Sequence, residues 1–324
     1  MPLIRVNAVG DRPVPDGDLA EAVEALPDGA PIIVLIHGFK YRPEDSRRCP
    51  HKQILSLAAR QTARIVSWPR HLGFGRGQAD EGLCVAFGWS GTGLLWQAYA
   101  EAARAGRALS ALIADLQILR PGPVHLVGHS LGARVALSSF EGLPDGTIGR
   151  TILLAAADTH AQAEAALGSP AGRSAEIVNV RSRENTLFDL LLRAAIFPHR
   201  PGLRALGAGL GRRDPRWVDL AIDCEASRAH LRALGFRIPP PLRRICHWSA
   251  YLRPGLFPLY RALLRESLPL AALRPETAAA AVPDTGHVTV APTRLRQIFA
   301  GGLQAVSDPS WASRHPSCRR QPSA

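Results

Sequence analysis

Apolar positions along the chain follow two rhythms. One run, Pro31-Ile32-Ile33-Val34-Leu35-Ile36, is apolar throughout, and Leu83-Cys84-Val85-Ala86-Phe87, Pro123 to Val127, Thr151 to Ala156 and Glu176 to Val180 are short stretches of mainly apolar residues. The unbroken run predicts a central strand covered on both faces, and the other stretches predict further strands. Leu3-Ile4-Arg5-Val6 and Ala63 to Trp68 are further strand candidates. The second rhythm is helical. From Leu94 to Leu119 the residues Leu95, Tyr99, Ala102, Leu109, Leu112, Ile113 and Leu116 recur on one face, and Pro121-Gly122-Pro123 stops the element. Shorter helical patterns cover Asp18 to Leu26, His51 to Arg60, the residues after Gly132, and Pro258 to Leu268. Strands alternating with helices predict an α/β fold, a mostly parallel central sheet with helices on both faces. We expect one such domain over residues 1–300. Residues 197–216, with several prolines, glycines and arginines, would form a loop or small cap, and 301–324 a basic, flexible tail.

The junction at Gly128-His129-Ser130-Leu131-Gly132 changes the picture from fold to chemistry. A strand that turns sharply into a helix lifts the central residue above the sheet edge while strand and helix nearly collide beneath it. Two positions on either side must then lack side chains, which Gly128 and Gly132 satisfy. Ser130 is therefore a candidate nucleophile. The strand Pro31–Ile36 ends in His37-Gly38-Phe39, at the carboxyl edge where open α/β sheets gather their active residues. The backbone amides of Phe39 and of Leu131, after the nucleophile, are candidates for an oxyanion hole.

Composition narrows the alternatives. Hydrophobic residues make up 46% of the 324, enough for a sizeable core. No stretch approaches the length of a transmembrane helix, and the N-terminus lacks the pattern of a secretory signal. Five scattered cysteines, with no C-x-x-C pair, suit a reducing compartment, and we expect a cytoplasmic protein. The net charge of +12 comes almost wholly from arginine, since Lys40 and Lys52 are the only lysines. The excess is spread singly, so no nucleic-acid partner is expected. Gly73-Phe74-Gly75-Arg76-Gly77 lacks the strand-to-helix setting of a dinucleotide loop, and no spacing supports a zinc site. Neither cofactor nor metal is expected.

The combination of Ile33 to Phe39, Gly128 to Gly132 and a downstream histidine resembles the α/β-hydrolase superfamily of serine esterases and lipases. Within it, Phe87-Gly-Trp-Ser-Gly-Thr-Gly93, Leu153 to Asp158 and Ser182-Arg-Glu-Asn-Thr-Leu187 are similar to a bacterial group of hydrolase-like proteins. The resemblance spans roughly residues 30–265 and implies a serine–acid–histidine order without cofactor. It places the base in a loop before the last helix, which favours His247 over His287 in Asp284-Thr285-Gly286-His287. It places the acid in the loop after Glu176–Val180, with an aspartate near Asn185 or Thr186, where this chain has none. Glu184 is the expected substitute, with Asp158 and Asp189 as alternatives. Two readings follow. The first is a serine hydrolase acting on a small ester or related acyl substrate through Ser130, His247 and Glu184. The second is a non-catalytic module of the same fold that binds partners through its basic surface.

Overall fold

The computed structural model describes residues 3–58, 62, 65–196 and 203–274. Along the chain run β1 (Leu3–Val9), β2 (Arg12–Asp16), α1 (Leu19–Glu24), β3 (Ile32–Ile36), α2 (Trp68–His71), β4 (Leu83–Gly88), α3 (Leu95–Leu119), β5 (Val124–His129) and α4 (Leu131–Ser138). Then follow β6 (Ile148–Leu154), α5 (His160–Gly168), β7 (Glu176–Arg181), α6 (Thr186–Ile196), β8 (Trp217–Ala221), α7 (Glu225–Ala233), α8 (Ser249–Leu252) and α9 (Leu256–Leu264). The strands form one sheet in the order β2-β1-β4-β3-β5-β6-β7-β8. Only the β1–β2 hairpin is antiparallel, and every other pair runs parallel.

Two-residue periodicity sorts each central strand between two cores. Ile32, Val34 and Ile36 face one cluster with α3 and α4, while Ile33 and Leu35 face the other with α8 and α9. All five are buried, which explains why the sequence shows a solid apolar run rather than alternation. The register places Ile36 opposite Gly128, and Gly128 opposite Leu153. The segments after β3, β5, β6 and β7 therefore emerge at one edge, where the candidate residues meet.

Several expectations change. Residues 63–68 do not form a strand in their described part. Ser67 instead caps α2, its hydroxyl accepting the Arg70 amide at 3.2 Å, with a proline in the first turn. The helix expected over 51–60 is a short 3-10 turn, Pro50–Lys52, followed by irregular turns. The last expected helix begins earlier, at Leu256, and ends at Leu264. The described part of 197–216 is a loop with one 3-10 turn, Leu206–Ala208, anchored by the buried Leu206 and Leu210. β8 is additional. It carries Asp219 in its middle, whose carboxylate accepts from Asn179 Nδ2 and Trp217 Nε1, so its pattern is not that of an apolar strand. His287 and the 301–324 segment lie outside the described residues.

Many arginines serve the interior. Arg150 donates to the carbonyls of Leu263 and Leu268, Arg216 to those of Leu167 and Gly172, Arg253 to that of Ile222, and Arg265 to those of Asp80 and Glu81. Guanidinium groups here satisfy the loose carbonyls of loops and helix ends. A good part of the basic excess is thus structural.

Candidate active site

Ser130 joins β5 to α4 with φ +56° and ψ −121°, a left-handed conformation that a residue with a Cβ rarely adopts. Neighbouring strands hold it there. Its amide donates to Leu154 O at 2.9 Å, and its carbonyl accepts from Ala133 and Ala157, each at 3.0 Å. The glycines behave as the motif requires. A Cβ on Gly128 would lie 2.4 Å from Gly132 O, and one on Gly132 would lie 2.5 Å from Ile36 O. A Cβ on Gly38 would stand 2.7 Å from His129 O and 2.9 Å from Ser130 Cβ. Strand, helix and the turn after β3 are in mutual contact under the serine.

The turn His37-Gly38-Phe39 is clamped by Trp89. The Trp89 amide donates to His37 Nε2 at 3.0 Å, and its indole donates to His37 O at 2.9 Å. His37 Nδ1 donates to Gly38 O at 2.9 Å, and burial holds the ring's pKa down at about 3, so it stays neutral. Beyond it, Lys40 N donates to Gly91 O at 2.6 Å. The Phe39 amide sits between these two fixed points, and the Leu131 amide opens α4, whose N-terminus carries partial positive charge.

His247 lies in the loop before α8 and α9. Its Nδ1 donates to Asn185 Oδ1 at 2.6 Å, and Phe188 stacks on its ring at 4.4 Å. Its backbone carbonyl accepts from His129 Nε2 at 3.1 Å, with the two rings 4.7 Å apart. The residue beside the candidate nucleophile thus holds the loop that carries the candidate base. Burial, followed by the neighbouring His129, pushes the His247 pKa well below the usual histidine value. Among the described residues the hydrogen bonds of His247 go to Asn185 and His129, and none joins it to Ser130 Oγ. Catalytic contacts of this kind commonly tighten only with substrate present.

Glu184 does not orient His247. Its carboxylate is buried against Arg253 in an ion pair and accepts the Ser182 hydroxyl at 3.0 Å. A guanidinium buried with it, 7% exposed, outcompetes any neutral imidazole for that charge. Toward the base loop Glu184 turns its carbonyl, which accepts the Cys246 amide at 2.9 Å. Asp158 is also committed elsewhere, its Oδ1 accepting from Tyr99, Arg134 and its neighbour's amide at 2.8 to 2.9 Å. Asp189 meets His247 only indirectly, accepting the Asn185 amide Nδ2 at 2.9 Å. The residue missed by a search for carboxylates is Asn185. Its i,i+4 spacing to Asp189 was the available signal.

Other motifs resolve simply. The glycine-rich run 73–77 wraps its own Glu81, whose carboxylate accepts the amides of Gly75, Arg76 and Gln78. Among the described residues no group of three or more His, Cys, Asp or Glu side chains is placed to hold a metal, and no helix is long and apolar enough to cross a membrane.

No curated protein matches the chain. Among solved structures, a Bacillus licheniformis lipase in its propeptide form is similar at 12% identity with a TM-score of 0.35. That match covers 74% of this chain and 51% of the lipase, so the chain spans about half that protein's length. A model of the alpha/beta hydrolase family matches residues 33–300, which contain all but the first residue of β3, the serine turn and the His247 loop. The chain belongs to the alpha/beta hydrolase family.

Proposed function

We propose that the chain is a serine hydrolase of a carboxylic ester or a related acyl bond, working through an acyl-enzyme on Ser130. Family membership supports hydrolysis as the class of chemistry. One observation carries the finer reading. Ser130 is held in a left-handed conformation by close backbone contacts at Gly38, Gly128 and Gly132. A purely structural turn gains nothing from strain at a serine.

In the proposed reaction His247 is neutral, with its proton on Nδ1 facing Asn185 and a lone pair on Nε2. Nε2 takes the Ser130 proton as Oγ attacks the acyl carbon. The Phe39 and Leu131 amides stabilise the oxyanion. The tetrahedral adduct collapses, and His247 returns the proton to the departing alcohol. Water then enters by the same route, reversing the proton transfers and releasing the acid. Asn185 takes the place of the usual acid. It orients the imidazole as asparagine does in papain-like proteases, but brings no charge of its own.

The substitution of amide for carboxylate is the observation that favours the second reading, a binding module without turnover. The arginines tied to interior carbonyls weigh against it, because they are not available to form its basic surface. Pre-steady-state hydrolysis of short p-nitrophenyl esters decides between them. A burst of one nitrophenolate per chain, absent in Ser130→Ala, is expected. Turnover that survives Ser130→Ala would overturn the assignment, and so would the lack of any burst or turnover across a panel of acyl chain lengths.

A further inference from the structure

We propose that Asp189 is a positioning residue that acts through Asn185 to fix the tautomer of His247. The inference rests on the hydrolase reading for its functional meaning, but its physical content is a statement about one imidazole proton.

What each group can donate and accept limits the arrangement. A base whose Nε2 lone pair serves Ser130 must carry its proton on Nδ1. That N–H needs an acceptor, and Asn185 Oδ1 supplies it at 2.6 Å. An amide is two-sided, and turned over it would offer Nδ2 to His247 instead. The imidazole would then accept at Nδ1 and carry its proton on Nε2, leaving no lone pair for Ser130. Nothing in His247 itself selects between these arrangements.

Asp189 selects. It lies one helical turn after Asn185 on α6, and its Oδ1 accepts Nδ2 at 2.9 Å. An ionised carboxylate only accepts, so it pairs with the amide nitrogen and forces the amide oxygen toward His247. The same carboxylate polarises the amide and increases the negative charge on Oδ1 when His247 becomes an imidazolium. The place usually held by a charged acid is thus split between an amide in contact and a carboxylate behind it.

The surroundings keep the device sensitive. Gly207, on the turn 206–208, backs the carboxylate so closely that a Cβ there would lie 2.0 Å from Oδ2. Asp219, near the end of that turn, is engaged by Asn179, Trp217 and the Leu210 amide. Arg193, one turn further along α6, is exposed. Among the described residues no charged group on that turn, on α6 or on α3 packed beside it shifts Asp189. Burial pushes its pKa up to about 7, moderated by the hydrogen bond from Asn185. A protonated Asp189 can donate to the amide oxygen, which releases the lock. Phe188 stacked on His247 and the His129 bond to its carbonyl hold the ring in place while the amide chooses.

The test reads the tautomer directly, without substrate. The full chain labelled with nitrogen-15 histidine is followed by two-bond proton–nitrogen correlation from about pH 5.5 to about pH 9, with His247 assigned by loss of its signals in His247→Gln. The wild type is expected to show the Nδ1–H form at high pH and a mixture as Asp189 protonates. Asp189→Asn, isosteric but indifferent to amide orientation, should show the mixture throughout. It should also lower kcat about 10- to 100-fold with KM little changed, less than the ~10⁴ lost when a triad acid is replaced in contact with its histidine. The exchange variant Asn185→Asp/Asp189→Asn, which puts the charge against Nδ1, should recover the single tautomer and most of kcat. A pure Nδ1–H form across the whole range in the wild type overturns the inference even if Asp189→Asn does not fold. So does a tautomer and kcat unchanged in Asp189→Asn. The failure of the hydrolase reading is a separate result, seen as turnover that ignores Ser130→Ala while the tautomer still responds to Asp189.

Discussion

His247 Nδ1 and Asn185 Oδ1 lie 2.6 Å apart, so the candidate base is oriented by a neutral amide rather than by a carboxylate. The nearest acid in sequence, Glu184, is paired with Arg253 instead. These two adjacent residues therefore have separable roles, one for the imidazole and one for the fold.

Asn185→Ala should lower kcat by about 10²-fold or more, because the imidazole loses the acceptor that sets its tautomer. Folding stability should fall by only about 1–3 kcal/mol, the cost of leaving a buried donor unmatched. Steady-state ester kinetics and urea titration on the same preparation check both values.

Glu184→Gln should do the reverse. It leaves Arg253 buried and unpaired, which by the behaviour of broken buried ion pairs costs about 3–5 kcal/mol. The folded fraction should still react at Ser130, since the Glu184 side chain does not reach His247. Urea denaturation gives the first quantity and active-site titration of the folded fraction the second.

Gly38→Ala should abolish reaction at Ser130, because the new methyl would meet His129 O at 2.7 Å and Ser130 Cβ at 2.9 Å. Gly168→Ala is the matched control. It lies at the end of α5 with nothing within 4 Å of the added carbon, and its φ is not positive. There the change should be neutral or should stabilise by about 0.4–1 kcal/mol. Thermal melts and active-site titration of both variants test the contrast.

Acid should destabilise the fold below the ordinary histidine pKa. Burial holds His37 at about 3 and His51, His125 and His129 at about 4, against 6.5 when unfolded. Between those values the unfolded chain binds protons that the native chain does not, so stability falls as pH falls, by up to about 1.4 kcal/mol per pH unit for each such group. Asp189 works the other way, its raised pKa of about 7 adding native-state protons over part of the same range. His160 and His247, also lowered by burial, join the histidine side, and Asp158, raised by burial, joins Asp189, so six groups stand against two. Urea midpoints at about pH 5 should therefore lie below those at about pH 7, and equal midpoints would contradict the burial of these rings.

What the sequence revealed was what sterics dictate. The pair Gly128 and Gly132 could be read because no side chain fits where their Cβ atoms would point, and β3 because a strand covered on both faces has no polar positions. The stretch before Trp68 misled because its apolar run outweighed a legible stop, Ser67 followed by Trp68-Pro69, which caps a helix. Glu184 misled for a different reason. Its partner Arg253 lies 69 residues away, and no local pattern announces such a pair. Asn185 was hidden by chemistry, since an amide carries no charge and a search for a triad acid passes over it.

Ser130 as an activated nucleophile with His247 as its base is the proposal on which the rest depends. Intact-mass and peptide-mapping analysis after treatment with a fluorophosphonate tests it most directly, because unactivated hydroxyls do not react. A single adduct on Ser130 is expected, absent in Ser130→Ala and nearly absent in His247→Ala. Labelling that persists in Ser130→Ala, or a folded wild-type chain that takes no label, would contradict it.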